Sequence, residues 1–153
     1  MAHPESDQTP AHWRRRTEAA LRDAGLRCTF PRHAILDWIA AAAAPFTAEQ
    51  VVAALETQHG TSSRATIYRL LDWLQAAGWL TRLYSDGTQH TYARFWPGHH
   101  HIAVCLRCGS ATIMSECHIE EGIRPALAAL DFELQGHVLE LYGVCGNCRT
   151  HSN

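Results

Sequence analysis

Three histidines and two cysteines fall within the eleven residues HHHIAVCLRCG, His99 to Gly109. Cys105 and Cys108 make one CxxC pair, and Cys145-Gly-Asn-Cys148 makes a second, with 36 residues between the two. Each pair sits on a tight turn that points both sulfurs the same way. Two such turns brought together form a tetrahedral thiolate cage suited to Zn²⁺. A closed four-sulfur site leaves no open coordination position, so its expected role is structural: it pins a strand over 138–144 beside the strand ending at Cys105. Redox CxxC motifs come singly and on a thioredoxin-like βαβ pattern, which this chain does not show.

The histidines pose a separate question, because the cysteines already complete one site. If His99-His100-His101 is extended, alternate side chains share a face, so His99 and His101 point together and His100 points away. Two destinations follow. Partners must come from elsewhere: Glu120, at the start of a C-terminal helix, and His137, at the start of the last strand, lie in elements that the cysteine cage holds nearby. Such a set suits Zn²⁺ or Fe²⁺, and ligand softness does not choose between them. The competing reading is a solvated histidine run.

Residues 12–24 read as an amphipathic helix stopped by Gly25, and a second helix begins at Pro31, with Thr29 as N-cap and Pro45 as its end. A third opens at Thr47 as N-cap, and a fourth runs through RATIYRLLDWLQAA to Gly78 with Ile67, Leu70, Leu71 and Leu74 as its buried stripe. WLTRLYSDGTQHTYAR then reads as a hairpin turning at Asp86-Gly87. Helices followed by a small hairpin are the order of a winged helix-turn-helix. Off the buried stripe of the fourth helix stand Ser63, Arg64, Thr66, Tyr68 and Arg69, crowded at the N-terminal end where a recognition helix meets base edges and phosphates. The bland alternative is a solvated helix face. Around Pro97-Gly98 the chain reads as a hinge, and beyond it come strands IAVCL, ATIMS and HVLELYGVC with a helix between the last two. Pro125 sets that helix to start near or just before itself, or to kink there.

Composition agrees with this division. At 153 residues and 46% hydrophobic, the chain fits one ordinary domain or two small ones. All thirteen basic residues are arginine; ten precede residue 99, against nine acids, while three arginines meet six acids afterwards. The net charge of −2 excludes an indiscriminate nucleic-acid binder, but the first half can still present an arginine-rich face. No apolar run reaches the roughly 18–20 residues of a membrane span, and the opening residues lack the apolar stretch of a signal peptide. A cytoplasmic location is expected, where reduced thiols hold metal rather than disulfides.

GLRCTFPR (25–32), TAEQV (47–51), ATIYRLLDWLQAAGWL (65–80), the HHH run leading into CLRCG, and HVLELYGVCGNC (137–148) occur in order along the chain. Through these motifs together it resembles the ferric uptake regulator family, Fur and Zur-like metal-dependent repressors, over nearly its whole length. The resemblance implies an α+β protein: a winged-helix DNA-binding domain over 1–93, a hinge over 94–98, and an α/β dimerisation domain over 99–153. It also implies a metal-loaded homodimer that represses by binding a double-stranded operator with inverted symmetry. Cys105, Cys108, Cys145 and Cys148 match the family's structural zinc ligands, and His99, His101, Glu120 and His137 match its inter-element metal site. Tyr68 and Arg69 match a base-contacting pair, and Arg27 a basic residue near the first helix that contacts DNA.

The departures carry information too. His101 stands where the family often has aspartate, which makes the set richer in nitrogen and favours zinc. Pro45, Phe46, Ala93 and Ile102 fall where the iron-sensing hinge site has its ligands, so that familiar set is incomplete. In its place we expect His90 in the wing and His100, with Cys117, Glu116 or His118 supplying the others, an arrangement closer to zinc-sensing members. The expected function is a zinc-responsive repressor of metal-uptake genes, not an enzyme, with Fe²⁺ or Mn²⁺ sensing as the alternative. A metallohydrolase using the histidine set needs an open coordination position and a general base and leaves the recognition-helix residues unexplained, while a metal buffer without DNA binding is separated from a repressor by operator binding with Arg69→Ala.

Overall fold

A computed structural model describes residues 9–56, 62–83, 90–114 and 116–150. The chain divides into two compact units, Met1–Pro97 and Gly98–Asn153. No helix among the described residues is long and apolar enough to cross a membrane.

In the first unit, α1 (Pro10–Asp23) opens two residues earlier than the periodicity predicts, because Pro10 sits in its first turn and Thr9 accepts a hydrogen bond from the His12 N–H. Helix α2 (Phe30–Ala41) follows Thr29, whose side chain makes no cap hydrogen bond, and it stops short of Pro45. A two-residue strand β1 (Phe46–Thr47), absent from the sequence reading, leads into α3 (Ala48–Glu56). There Thr47 and Gln50 cap one another reciprocally, each side chain bonding the other's backbone N–H. Helix α4 (Arg64–Ala76) has Ser63 as its N-cap, and the four stripe residues named above are all buried. Strands β2 (Leu80–Leu83) and β3 (Thr91–Arg94) pair antiparallel, with β1 on the other edge of β3. The expected turn at Asp86-Gly87 lies outside the described residues. These helices and the sheet enclose one core, from Trp13 and Leu36 to Leu71 and Tyr92.

The segment expected to act as a hinge from residue 94 is mostly part of this unit. Arg94 completes β3, the Phe95 N–H donates to the Trp79 carbonyl, and Trp96 packs edge-on against Trp79. Trp13 Nε1 donates to the carbonyls of both Trp79 and Phe95 at 3.0 Å, tying α1 to the same stretch. Gly78, at φ +77°, lies so close to Pro97 that a Cβ would meet its Cα at 3.5 Å. The break between units therefore comes after Pro97 rather than across five residues.

In the second unit β4 (His101–Cys105) is the central strand, antiparallel to β5 (Ala111–Met114) and parallel to β6 (Glu140–Gly143). Helix α5 (Ile119–Ala129) makes the crossover, and a short α6 (Gly146–Thr150), unforeseen in the sequence, starts right after Cys145 and carries Cys148. Contrary to the expected start near Pro125, α5 begins at Ile119 and carries Pro125 as its seventh residue. The acidic Glu120 and Glu121 favour that earlier start by complementing the helix N-terminus. The hydrogen bond that Pro125 forgoes would end on exposed Glu121, where water can serve its carbonyl.

Candidate metal centres and nucleic-acid interface

The parallel pairing of β4 with β6 sets Cys105 opposite Gly143, two residues before Cys145. Leu106 N–H donates to the Gly143 carbonyl at 2.7 Å and holds the strand ends together. On the other side, Gly109 at φ +71° closes the CLRCG turn onto the Cys105 carbonyl. The sulfurs of Cys105, Cys108, Cys145 and Cys148 consequently lie within 4.8 Å of one another, with Cys108 Sγ 3.8 Å from Cys145 Sγ. Around a tetrahedral zinc, thiolate sulfurs sit about 3.8 Å apart. The Cys145 N–H donates to Cys105 Sγ, and this bond, with another from the Cys108 N–H, pulls the Cys105 thiol down to about 6. Cys148 is pushed the other way, to about 12, by the neighbouring sulfurs. One thiolate forms readily, and a cation is what would stabilise four together.

The second centre gathers at the start of β4. His99 and His101 do share a face, their rings 4.8 Å apart, and both meet His137 from the segment before β6. His101 Nε2 lies 3.2 Å from His137 Nε2, and Cys117 Sγ lies 3.3 Å from the same nitrogen. One ligand atom from each of His99, His101, Cys117 and His137 falls within a 4.8 Å group. His101 is only 2% exposed and its Nδ1 is buried without a hydrogen-bond partner. Burial, with the adjoining rings of His99 and His137, keeps it below its ordinary value and thus neutral, the form that binds metal.

The grouping differs from the expected one at two residues. Cys117, assigned from the sequence to a hinge site, sits with the three histidines. Glu120 is exposed, and its Oε1 lies 3.6 Å from His137 Nδ1, on the side of the ring away from Cys117. At that distance it makes no hydrogen bond, and His137 Nδ1 is buried without a hydrogen-bond partner. Within the second unit, His100, Glu116 and His118 join no close group of donors among the described residues, and His90 is exposed on the first unit.

On the first unit the helix-turn-helix presents α4. Thr66 is turned to its own N-cap, with Oγ1 2.9 Å from Ser63 Oγ, and Arg69 Nε donates to the Ala65 carbonyl. Arg64 and Tyr68 are both exposed, and both donate to Glu49 of α3, Arg64 Nη1 at 2.7 Å and the Tyr68 hydroxyl at 2.6 Å. These bonds hold the Glu49 carboxyl below its usual range. Sequence reasoning missed Glu49, which carries no local signal of its partners 15 and 19 residues on. Arg27 is exposed in the α1–α2 connector.

Comparison with known proteins bears on what these elements do. The model of the ferric uptake regulator family matches residues 23–142. A ferric uptake regulation protein of Bordetella parapertussis is 33% identical over 133 residues, covering 86% of this chain and 96% of that one. The peroxide operon regulator of Bacillus subtilis is 31% identical over 144 residues, covering 94% and 98%. Among solved structures, holo XcZur superposes with a TM-score of 0.65 at 29% identity, over 90% of this chain and 97% of that one. A zinc uptake regulator complexed with zinc and DNA is similar in fold, with a TM-score of 0.72 at 22% identity over 94% and 97%. The matched residues take in the recognition helix, the histidine run and His137. With relatives aligned over nearly their full lengths, the chain belongs to the ferric uptake regulator family of metal-responsive transcriptional regulators.

Proposed function

We propose that the protein is a zinc-responsive repressor that binds operator DNA as a homodimer and controls metal-uptake genes. The observation that carries the choice of metal is Cys117, a sulfur donor 3.3 Å from His137 Nε2 within a set otherwise made of histidines. A thiolate with imidazoles suits Zn²⁺, while Mn²⁺ prefers carboxylate and water. His99, His101, Cys117 and His137 would hold the regulatory ion, Glu120 would orient His137, and the four cysteines would hold a structural zinc. The bound ion supplies charge that draws the donors together. The catalytic alternative needs a position open to substrate, and four protein donors from three segments leave none for it.

His99 follows Gly98, the first residue beyond the break between the units, so ligation of His99 restricts the link to the DNA-binding unit. A switch from 99% inactive to 99% active arrangements takes about 5.5 kcal/mol of differential metal affinity. The dimer reading rests on apolar surface of the second unit: Val138 is 89% exposed, Leu130 74% and Phe132 59%, and α5 buries none of its residues. A unit this small cannot cover that surface alone, and a second copy would.

The deciding experiment is a titration of operator-length DNA with the purified protein, its structural zinc retained, at buffered free Zn²⁺, Fe²⁺ and Mn²⁺. Activation by zinc at the lowest free concentration is the expected result. Activation by iron or manganese alone would make it an iron-type regulator, and binding indifferent to metal would overturn the repressor reading.

A further inference from the structure

A third group of donors lies in the first unit, away from both centres. Glu18 comes from α1, Cys28 from the α1–α2 connector and His33 from α2, and their donor atoms fall within 4.8 Å of one another. Cys28 Sγ is 3.7 Å from His33 Nδ1, and His33 Nδ1 is 3.9 Å from Glu18 Oε2. Around a tetrahedral zinc the corresponding separations are about 3.5 and 3.3 Å. The Cys28–His33 pair is within about 0.2 Å of that spacing, and the Glu18 carboxylate would have to close on His33 by about 0.6 Å.

The position they surround already attracts positive charge. Arg14 places Nη2 2.6 Å from His33 Nδ1 and Nη1 2.7 Å from Glu18 Oε2, while its Nε is 2.6 Å from Asp37 Oδ1. A guanidinium can only donate, so His33 Nδ1 is unprotonated and its lone pair, now taken by Arg14, is the one a metal would use. Asp37 is 65% exposed and stands outside the donor group, so it can keep Arg14 when the guanidinium leaves His33.

We infer that Glu18, Cys28 and His33 form a metal site of the DNA-binding unit, taking a zinc-like divalent ion in exchange with the Arg14 guanidinium. A thiolate, an imidazole and a carboxylate favour such an ion over Mg²⁺ or Ca²⁺, and three protein donors leave one position for water. Binding releases the Cys28 thiol proton to solvent. The ion ties α1, the connector and α2 together beside Arg27, the exposed residue next to Cys28. Metal here would therefore change how Arg27 is presented, independently of the two centres in the other unit.

The test uses the full chain and Zn²⁺ alone. Alkylation of Cys28 by iodoacetamide is followed by peptide mass spectrometry across buffered free zinc, and zinc per chain is counted for wild type, Cys28→Ser and His33→Ala. Zinc should slow Cys28 alkylation by at least about tenfold in the wild type. Each variant should hold one zinc fewer. Arg14→Gln, which removes the cation that holds His33 and leaves Arg22 on Glu18, should lower the zinc concentration needed for protection by about tenfold. Alkylation of Cys28 that ignores zinc in both wild type and Arg14→Gln, with equal zinc content in all chains, would overturn the site. The alkylation arm needs no substitution at a donor, so misfolding of a variant cannot imitate either result.

Discussion

The Tyr68 hydroxyl donates to Glu49 Oε1 at 2.6 Å, which ties a residue of the recognition helix to a carboxylate that Arg64 also grips. A DNA phosphate approaching Arg64 must compete with Glu49 for it. Glu49→Gln should therefore free one positive contact and steepen the slope of log K against log[salt] by about one. Fluorescence anisotropy on operator DNA at several salt concentrations measures this; an unchanged slope means that Arg64 does not reach a phosphate. Arg69→Ala, by contrast, should cost about 1–3 kcal/mol on the operator and less on unrelated DNA.

At the histidine centre the prediction concerns which of two residues binds the ion. Cys117→Ala should weaken zinc at this site more than Glu120→Ala does, the latter by about 10–100-fold as an orienting partner. Competition with a chromophoric chelator ranks them, and Co²⁺ loaded into the site should lose its sulfur charge-transfer band only in Cys117→Ala. The reverse ranking would return Glu120 to the ligand set.

Acid should act on the metal-free protein through His101. Its folded value lies below the ordinary 6.5 because burial and the neighbouring rings disfavour the imidazolium. The unfolded chain thus takes up the proton first, and stability falls as the pH drops from about 6.5 toward the folded value. Urea melts of the chelated protein between pH 7.5 and 5 should show this loss, and His101→Gln should flatten it.

Removal of the structural ion should have a local effect. Among the described residues the second unit buries one large apolar side chain, Ile102, whereas the first has a full core. Cys145→Ser, or a strong chelator, should abolish hydrogen-exchange protection in β4, β5 and β6 while leaving α2 and α4 protected. Equal loss in both units would mean that they do not fold separately.

The apolar face of the second unit predicts its own outcome. Leu130→Glu with Val138→Glu places charge on exposed positions, so neither should harm the fold of a monomer. In light scattering after gel filtration the wild type should run as a dimer and the double variant as a monomer. Loss of operator binding should follow, since two half-sites need two recognition helices.

The four-cysteine centre was legible because CxxC spacing is local: a tight turn aims two sulfurs whatever the rest of the chain does. The α4 stripe was legible through helical periodicity, whereas His99 and His101 lie 4.8 Å apart although β4 begins only at His101. Segment boundaries were less legible. Strand β1 is two residues long and has no pattern to detect, and Pro125 sits inside α5 because the helix is exposed there. Trp79 and Trp13, distant in sequence, dock residues 95 and 96 onto the first unit, which no local pattern announces.

From the sequence alone came donor types, their local spacing and the order of elements, which short-range sterics and periodicity impose. The tertiary structure alone decided which donors beyond the CxxC pairs lie close together. Cys117 lies in the loop between β5 and α5, where no periodicity predicts direction, and the packing of β4 against β6 carries His137 to it. Glu120 ended on the far nitrogen of the His137 ring for the same reason, and Glu49, Cys28 and His33 met their partners only once helices packed. Contacts between residues far apart in the chain are set by how whole elements pack, and that information is in no single stretch of residues.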